Sequence, residues 1–325
     1  MDKLIRGIDE NFARVFKKDH AFKLLDEYPE ELFLGIRNNY INIYYRAASI
    51  CKGKVSGGRF TAEIAKRYLN INEKQGYVNI SGDELVDNYE RIKHNIDTHY
   101  AEKNKEKDAQ QRLVMNNNAN SASEWVCIDI EYKRQRVSSE ETDPGRFDII
   151  AITKTLPHRV ALIELKYGSA AIGGSSGVLK HTADWLRFNS EGQFCSHLIP
   201  EIVSIIRSYC LLRSDFPIQG IAEDMLSKEP EFYFITLDNA EDRARQTMLR
   251  YIRNDVEGFS RNNVVDVLGI DITKANKENF TPGFLFAEGG GENITHIIGD
   301  SNYRQGFDLI ENMSWEELGA KYVIT

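Results

Sequence analysis

The chain has 325 residues, of which 42% are hydrophobic and 28% are charged, and these proportions are typical of a folded globular protein rather than a disordered chain. Its 49 acidic residues outnumber its 41 lysines and arginines, which gives a formal net charge of −8. This charge excludes a protein that binds nucleic acid through an overall basic surface, but it is compatible with a local basic groove.

The cysteine content and the first residues of the sequence predict that the protein resides in a reducing compartment. The four cysteines form no C-x-x-C pair, and they are too few for a disulfide framework in a chain of this length. The first residues lack the apolar run of a signal peptide. We also find no stretch that approaches the roughly 20 apolar residues of a membrane helix. We therefore expect a cytoplasmic protein without a membrane partner.

Residues 1–80 predict a small α/β module built around a β-hairpin. Apolar residues between Asp2 and Lys18 are spaced like one face of a helix. In the following segment LFLGIRNNYINIYYR, Asn38 and Asn39 can adopt the positive φ of a tight turn. Folding there places Ile36 opposite Ile41, and AASICKGKV would add a third strand. The sequence indicates no chemistry in this module.

Residues 81–325 predict a second domain with a mixed central sheet flanked by helices, of the α/β or α+β class. A charged helical stretch from Asp83 to about Asn118 is followed by the loop NNNANSAS. Three strand-like runs come next, WVCIDIEYK, RFDIIAIT and VALIELKY, and the turn residues between them predict an antiparallel meander. The remaining predicted elements, in chain order, are a helix through VLKHTADWLRF, a helix from Ile199 to Arg213, the strand EFYFITL, an arginine-bearing helix and the strand GFLF.

The strand-like run VALIELKY changes from apolar to charged side chains at its end. Its first half is apolar on both faces, as expected for a central strand that is covered on both sides. Glu164 and Lys166 then follow on one face, because side chains alternate along a strand. A turn centred on Leu156 would place Asp148 of the preceding run directly opposite Glu164, since the two numbers are symmetric about 156.

Opposed residues of an antiparallel pair share a face, with Cβ atoms about 4.5–5.5 Å apart. Two carboxylates at this separation repel each other unless a cation lies between them, and Mg²⁺ prefers carboxylate oxygens, water and phosphate as ligands. Lys166 lies on the same side and could orient a water or neutralise a phosphate. The alternative is a partly exposed ion-pair cluster without function, but the register and the buried strand favour a site.

Asp148 and the segment Glu164-Leu165-Lys166 resemble the motif of the PD-(D/E)XK nuclease superfamily. The order of the predicted elements is also similar to that of the superfamily: a helix, a three-strand meander, a helix and a strand, across roughly residues 97–237. Phe147 stands where the motif has proline. The resemblance implies a restriction-endonuclease-like core in which Asp148, Glu164 and the Leu165 carbonyl bind Mg²⁺ or Mn²⁺ and Lys166 is catalytic. It also implies hydrolysis of phosphodiester bonds, with DNA favoured over RNA as the substrate, and a role in restriction or antiviral defence.

Such nucleases often add a third carboxylate, and the sequence offers two candidates. Glu106 shares a helical face with Ala109 and Gln110, although a solvated glutamate in a charge run is favoured about two to one. Strict alternation along WVCIDIEYK places Glu131 on one face with Asp129, and a surface glutamate is equally expected there.

Basic side chains that could contact a nucleic acid lie in two later segments. Lys180 and His181 begin the helix after GGSSG, where free backbone amides can hold a phosphate. Arg250 and Arg253 belong to the basic segment after EFYFITL. In both segments the alternative is an ordinary solvated helix, which we slightly favour for Lys180 and His181.

Two other functions remain open at this point. A nucleic-acid-binding or scaffolding protein without catalysis could use the same fold. For either function we expect nucleic acid, with DNA favoured, as the partner, and a homodimer or a protein partner is a further expectation. The segment GGSSG also fits the G-x-S-x-G pattern around a nucleophilic Ser175. The serine hydrolase is the weakest alternative, because YGSAAI separates the glycines from the strand and the preceding strands predict a meander.

Overall fold

A computed structural model describes most of the first 237 residues. The described residues are 5–46, 48–70, 72, 75–100, 103, 105–133, 146–168, 171, 177, 181, 184–185, 188–189, 191–237 and the backbone of 283–286. Within them the chain forms two β-sheets with helices packed against both, which confirms the predicted mixed α/β class.

The first sheet is an antiparallel meander of five strands in chain order. They are β1 (Leu32–Ile36), β2 (Ile41–Tyr45), β3 (Ala48–Ser56), β4 (Arg59–Ala65) and β5 (Tyr77–Ile80). The predicted hairpin is confirmed: Ile36 lies opposite Ile41, and Asn39 takes a φ of 51° in the turn. A short-chain polar residue is suited to this conformation because its side chain can form local hydrogen bonds.

The first five described helices contribute buried residues to the same hydrophobic cluster as this sheet. They are α1 (Glu10–Phe16), α2 (His20–Glu27), α3 (Lys66–Leu69), α4 (Gly82–Asp87) and α5 (Tyr89–His99). The helix expected from residue 2 begins only at Glu10, because the side chain of Asp9 accepts a hydrogen bond from the Phe12 amide and caps it. Ser81 and Glu84 form a capping box at the start of α4.

The second sheet follows the long helix α6 (Lys105–Ala119). Its strands are β6 (Trp125–Lys133), β7 (Arg146–Thr153), β8 (Val160–Tyr167), β9 (Glu231–Leu237) and β10 (Gly283–Phe286). The sheet order is β10-β9-β8-β7-β6; β6, β7 and β8 form the predicted antiparallel meander, and β8, β9 and β10 are parallel. Between β8 and β9, a π-helical turn (Phe194–Leu198) leads into α7 (Ile199–Leu212).

The predicted loop NNNANSAS is partly helical. Helix α6 continues to Ala119 because its last asparagines hydrogen-bond to the neighbouring strand β6. Asn117 donates to the Trp125 carbonyl at 3.1 Å, and Asn118 both donates to the Cys127 carbonyl and accepts from the Cys127 amide. The predicted loop is therefore confined to the residues after Ala119, where the Ser123 amide donates to the Asn120 carbonyl across a turn.

Two hydrophobic clusters cover the two faces of the second sheet. One contains Val160 and Leu162 of β8 together with α1, α2, α7 and residues of the first sheet. The other contains Ala161, Ile163 and Leu165, packed against α6. Strand β8 is therefore buried on both faces, as the sequence predicts. Because the first cluster includes residues from both sheets, the two sheets share a core, and the division at residue 80 stays a prediction.

One described helical run is long and apolar enough to cross a membrane by length and composition alone. It is Phe194–Leu212, which consists of the π-helical turn and α7. Half of its most apolar window is buried inside the protein, and a core helix of a soluble protein meets the same criterion. The expectation that no segment approaches this criterion is therefore wrong, but the run is weak evidence for a membrane span.

The buried central strand yields a stability prediction. Leu162→Ala in β8 should lower the free energy of unfolding by about 2–5 kcal/mol, because the side chain is 0% exposed and its removal leaves a cavity. The same exchange at Leu156, which is 65% exposed, should cost no more than about 0.5 kcal/mol. Urea unfolding measures both, and equal losses would contradict the described packing.

Candidate functional site

The site lies where strands β7 and β8 stop pairing. The ladder joins Ile152 to Val160 and continues to Ile149 opposite Ile163, so the register is symmetric about residue 156 as predicted. Asp148 is the next residue along β7. Its Oδ2 atom accepts a hydrogen bond from the Leu165 amide at 2.7 Å, in place of backbone pairing. The Asp148 carboxylate is thereby fixed beside the Glu164-Leu165-Lys166 segment.

Glu164 and Lys166 form a buried ion pair on β8. The Lys166 Nζ atom donates to Glu164 Oε1 at 2.7 Å, and the two residues are only 5% and 6% exposed, respectively. His181 Nε2 lies 3.0 Å from the same oxygen. The structure therefore places His181 against a site carboxylate, a contact for which the sequence gives no signal, and its contact with a nucleic acid stays a prediction.

The pKa values of both site carboxyl groups are raised. Burial raises the pKa of Asp148 well above its usual value, and the charge of Glu164 adds to this rise, while the Leu165 amide and Lys166 oppose it. Burial likewise raises the pKa of Glu164 to about 7 against the opposing effect of Lys166, and the charges of Glu106 and Glu131 raise it further. Both carboxyl groups therefore hold a proton more readily than an exposed carboxyl group does, chiefly because they are removed from water.

The two carboxylates have the atoms that a hard cation needs. Within the described part of the chain, Asp148 Oδ1 and Glu164 Oε2 each lack a hydrogen bond or ion pair. Oxygens of this kind are preferred ligands of Mg²⁺, which takes one or two protein carboxylates and completes its shell with water and phosphate. Among the described residues, no group of three or more His, Cys, Asp or Glu side chains is placed to hold a metal ion. The pair therefore fits a site that uses few side-chain ligands.

Both candidate third carboxylates lie near this pair. Glu106 is exposed on the first turn of α6, four residues before Gln110, whose side-chain amide donates to the Asp148 carbonyl. On β6, the pairs Ile130–Ile149 and Tyr132–Phe147 place Glu131 level with Asp148. Glu131 also forms an ion pair with Lys107 at 3.0 Å. The role of Gln110 was not expected, because the sequence does not show which strand α6 contacts.

The alternation predicted along β6 is wrong. The pairing with β7 shifts between Cys127 and Asp129, so that Ile130 rather than Asp129 packs in the same cluster as Trp125 and Cys127. Glu131 also takes a φ of 54°, in the left-handed region. A bulge re-aims the side chains that follow it, and its position depends on the partner strand, which strict alternation does not take into account.

The remaining predicted residues cannot be placed. Lys180, Ser175, Arg250 and Arg253 lie outside the described residues. Their proposed roles therefore stay predictions from the sequence.

Comparisons of the chain with protein-family models, curated proteins and solved structures found no match. The likeness to PD-(D/E)XK nucleases is therefore a likeness of a short motif and of the order of elements. Any functional assignment depends on the geometry around Asp148, Glu164 and Lys166.

The raised pKa of Glu164 gives a prediction with a defined sign. Its ordinary value of 4.5 rises to about 7 on folding, so between these pH values the folded protein keeps a proton that the unfolded chain releases. The free energy of unfolding of the wild type should therefore fall relative to that of Glu164→Gln as the pH rises from 5 to 8, by at least about 1 kcal/mol. Urea unfolding in EDTA at several pH values measures this difference.

The matched control is Glu30→Gln, an exposed glutamate in the turn that precedes β1. This exchange removes a carboxylate that lies outside the site. Parallel curves for wild type and Glu164→Gln would show that Glu164 has no raised pKa.

Proposed function

We propose that the protein is a metal-dependent nuclease that hydrolyses phosphodiester bonds and that Asp148, Glu164 and Lys166 form its active site. The observation that carries the proposal is the meeting of two carboxylates, each with an oxygen free of described partners, beside a buried lysine at the end of two central strands. The order α6, β6, β7, β8, α7 and β9 agrees with a restriction-endonuclease-like core. That finer fold assignment is part of the proposal.

Each residue has a distinct role in the proposed mechanism. Bound Mg²⁺ or Mn²⁺ would polarise the scissile phosphate and lower the pKa of a coordinated water. Asp148, held in place by the Leu165 amide, would bind the ion together with Glu164 and the Leu165 carbonyl. Lys166 can position the attacking water or stabilise the charge that develops on the phosphate. Because Glu164 and Lys166 are almost fully buried, their charges act in a medium that screens them weakly.

Substrate and setting follow from the resemblance rather than from the geometry. DNA is the proposed substrate, and restriction or antiviral defence in the cytoplasm is the proposed role. The net charge of −8 requires a local basic surface, which Lys180, Arg250 and Arg253 would supply, or a protein partner or second copy that delivers the substrate.

A nucleic-acid-binding protein without catalysis is the second candidate. It is favoured by the close contact of Lys166 and His181 with Glu164 Oε1, and by the absence of a three-residue metal cluster among the described residues. Such a protein would bind DNA in the presence of EDTA and cut it under no conditions. The serine hydrolase is the weakest candidate, because β6, β7 and β8 are antiparallel.

The test is cleavage of supercoiled plasmid and of single-stranded DNA in Mn²⁺, Mg²⁺ or EDTA. Wild type should cut only with metal, and Lys166→Ala should cut at least about 100-fold more slowly, as expected for loss of a group that acts in proton transfer or charge stabilisation. Lys23→Ala, on the exposed side of α2, is the matched control and should cut like wild type.

Each result has a defined meaning. Equal cutting by wild type and Lys166→Ala would assign the activity to a contaminant or to another site. Binding without cutting, in every metal, would favour the second candidate over the nuclease.

A further inference from the structure

Strand pairing along β7 is interrupted at Asp148. The registers pair all residues of β7 except Asp148 with a residue of β6 or β8. A backbone group inside a sheet that has no partner in the ladder needs one from elsewhere, because a buried group left unpaired costs free energy. The structure supplies partners for Asp148 from outside the ladder.

Two hydrogen bonds hold Asp148, and they come from two different elements. The Leu165 amide of β8 donates to its Oδ2 atom at 2.7 Å. The side-chain amide of Gln110, on α6, donates to its backbone carbonyl. Gln110 is 2% exposed, so water has little access to compete for this amide. The first bond sets the direction of the carboxylate, and the second sets the position of the backbone that carries it.

Helix α6 is held in place by contacts that do not involve Gln110. Gln111 donates to the Tyr44 carbonyl of β2 at 2.9 Å. Asp108, which is 2% exposed, accepts a hydrogen bond from Arg46 Nε at 2.9 Å, and Arg46 directly follows β2. The helix is therefore attached to the first sheet, and it presents Gln110 to the second sheet from a fixed position.

We propose that Gln110 is a positioning residue for the reaction at the site, because it holds the Asp148 backbone and thereby keeps the carboxylate in place. The inference rests on the proposed function, in which Asp148 binds the cation. Functional groups must be held within about 0.5 Å of their productive geometry, and hydrogen bonds from surrounding residues achieve this. Through α6, the first sheet would contribute to the geometry of a site that lies on the second.

The alternative is that Gln110 only satisfies a backbone carbonyl. Gln111 does this for the carbonyls of Glu31 and Tyr44, which belong to the first sheet and the turn before it. If both glutamines were merely structural, exchanging either would lower stability and leave the site unchanged. The two residues are neighbours in one helix and each is 2% exposed, so Gln111 is the matched control.

The experiment compares Gln110→Met with Gln111→Met in the full chain. Methionine is an unbranched side chain that adapts to its surroundings, and it has no hydrogen-bond donor. The first readout is hydrogen exchange of the Leu165 amide, followed by NMR in EDTA, because this amide donates to Asp148. Gln110→Met should speed this exchange about threefold to tenfold, as expected for the loss of one hydrogen bond. Gln111→Met should leave it unchanged.

The second readout is Mn²⁺-dependent cleavage of supercoiled plasmid. Gln110→Met should lower kcat about tenfold, the lower end of the range for loss of a residue that orients a metal ligand. The KM for DNA should stay unchanged, because a positioning residue acts on the chemical step rather than on DNA binding. Gln111→Met should cut like wild type.

Unfolding temperatures show whether each variant is folded. Gln110→Asn keeps an amide that ends one carbon short of the Asp148 carbonyl, and it replaces Gln110→Met if that variant does not fold. It should give the same faster exchange of Leu165 and the same loss of kcat.

The outcomes distinguish the inference from the proposed function. Unchanged Leu165 exchange or unchanged kcat in a folded Gln110 variant would overturn the positioning role and leave the proposed nuclease standing. Equal effects of Gln110→Met and Gln111→Met would assign both to the helix as a whole, which also overturns the positioning role. A wild type that cuts no DNA would overturn the proposed function, and the inference with it, whatever the exchange rates.

Discussion

The antiparallel ladder between β7 and β8 determines where the carboxylates of Asp148 and Glu164 meet. Its symmetry about residue 156 brings Asp148 to the level of Glu164, and the hydrogen bond from the Leu165 amide to Asp148 Oδ2 then fixes the aspartate. Both strands are covered on both faces, so these charges cannot be solvated as they would be on a surface. The burial of Glu164, and with it the raised pKa of its carboxyl group, follows from this constraint.

The rest of the fold supports this arrangement from two sides. Helix α6 covers one face of the second sheet and presents Gln110 to the Asp148 carbonyl. On the other side, Tyr209 of α7 donates to the carbonyls of both Leu34 and Ile128, which connects the first sheet to β6. The N-terminal segment is thus packed into the same structure as the site.

Local features of the sequence were enough to predict the parts of the fold that depend on short-range pairing. The hairpin at Asn39 and the register of β7 with β8 follow from turn position and from the two-residue alternation of strands, and both are confirmed. The shift after Cys127 could not be predicted, because a bulge depends on the partner strand. The contacts of Asp129 with Arg37 and Arg6 could not be predicted either, because the two arginines precede it by 92 and 123 positions in the sequence.

The binding of one divalent cation by Asp148 and Glu164 together is tested most directly by diffraction from crystals soaked in MnCl₂. Binding at this site should give an anomalous peak within about 2.6 Å of an oxygen from each carboxylate, the outer limit for oxygen ligands of hard divalent cations. A structure at saturating Mn²⁺ with no peak at this position, and with Lys166 still bound to Glu164, would contradict it.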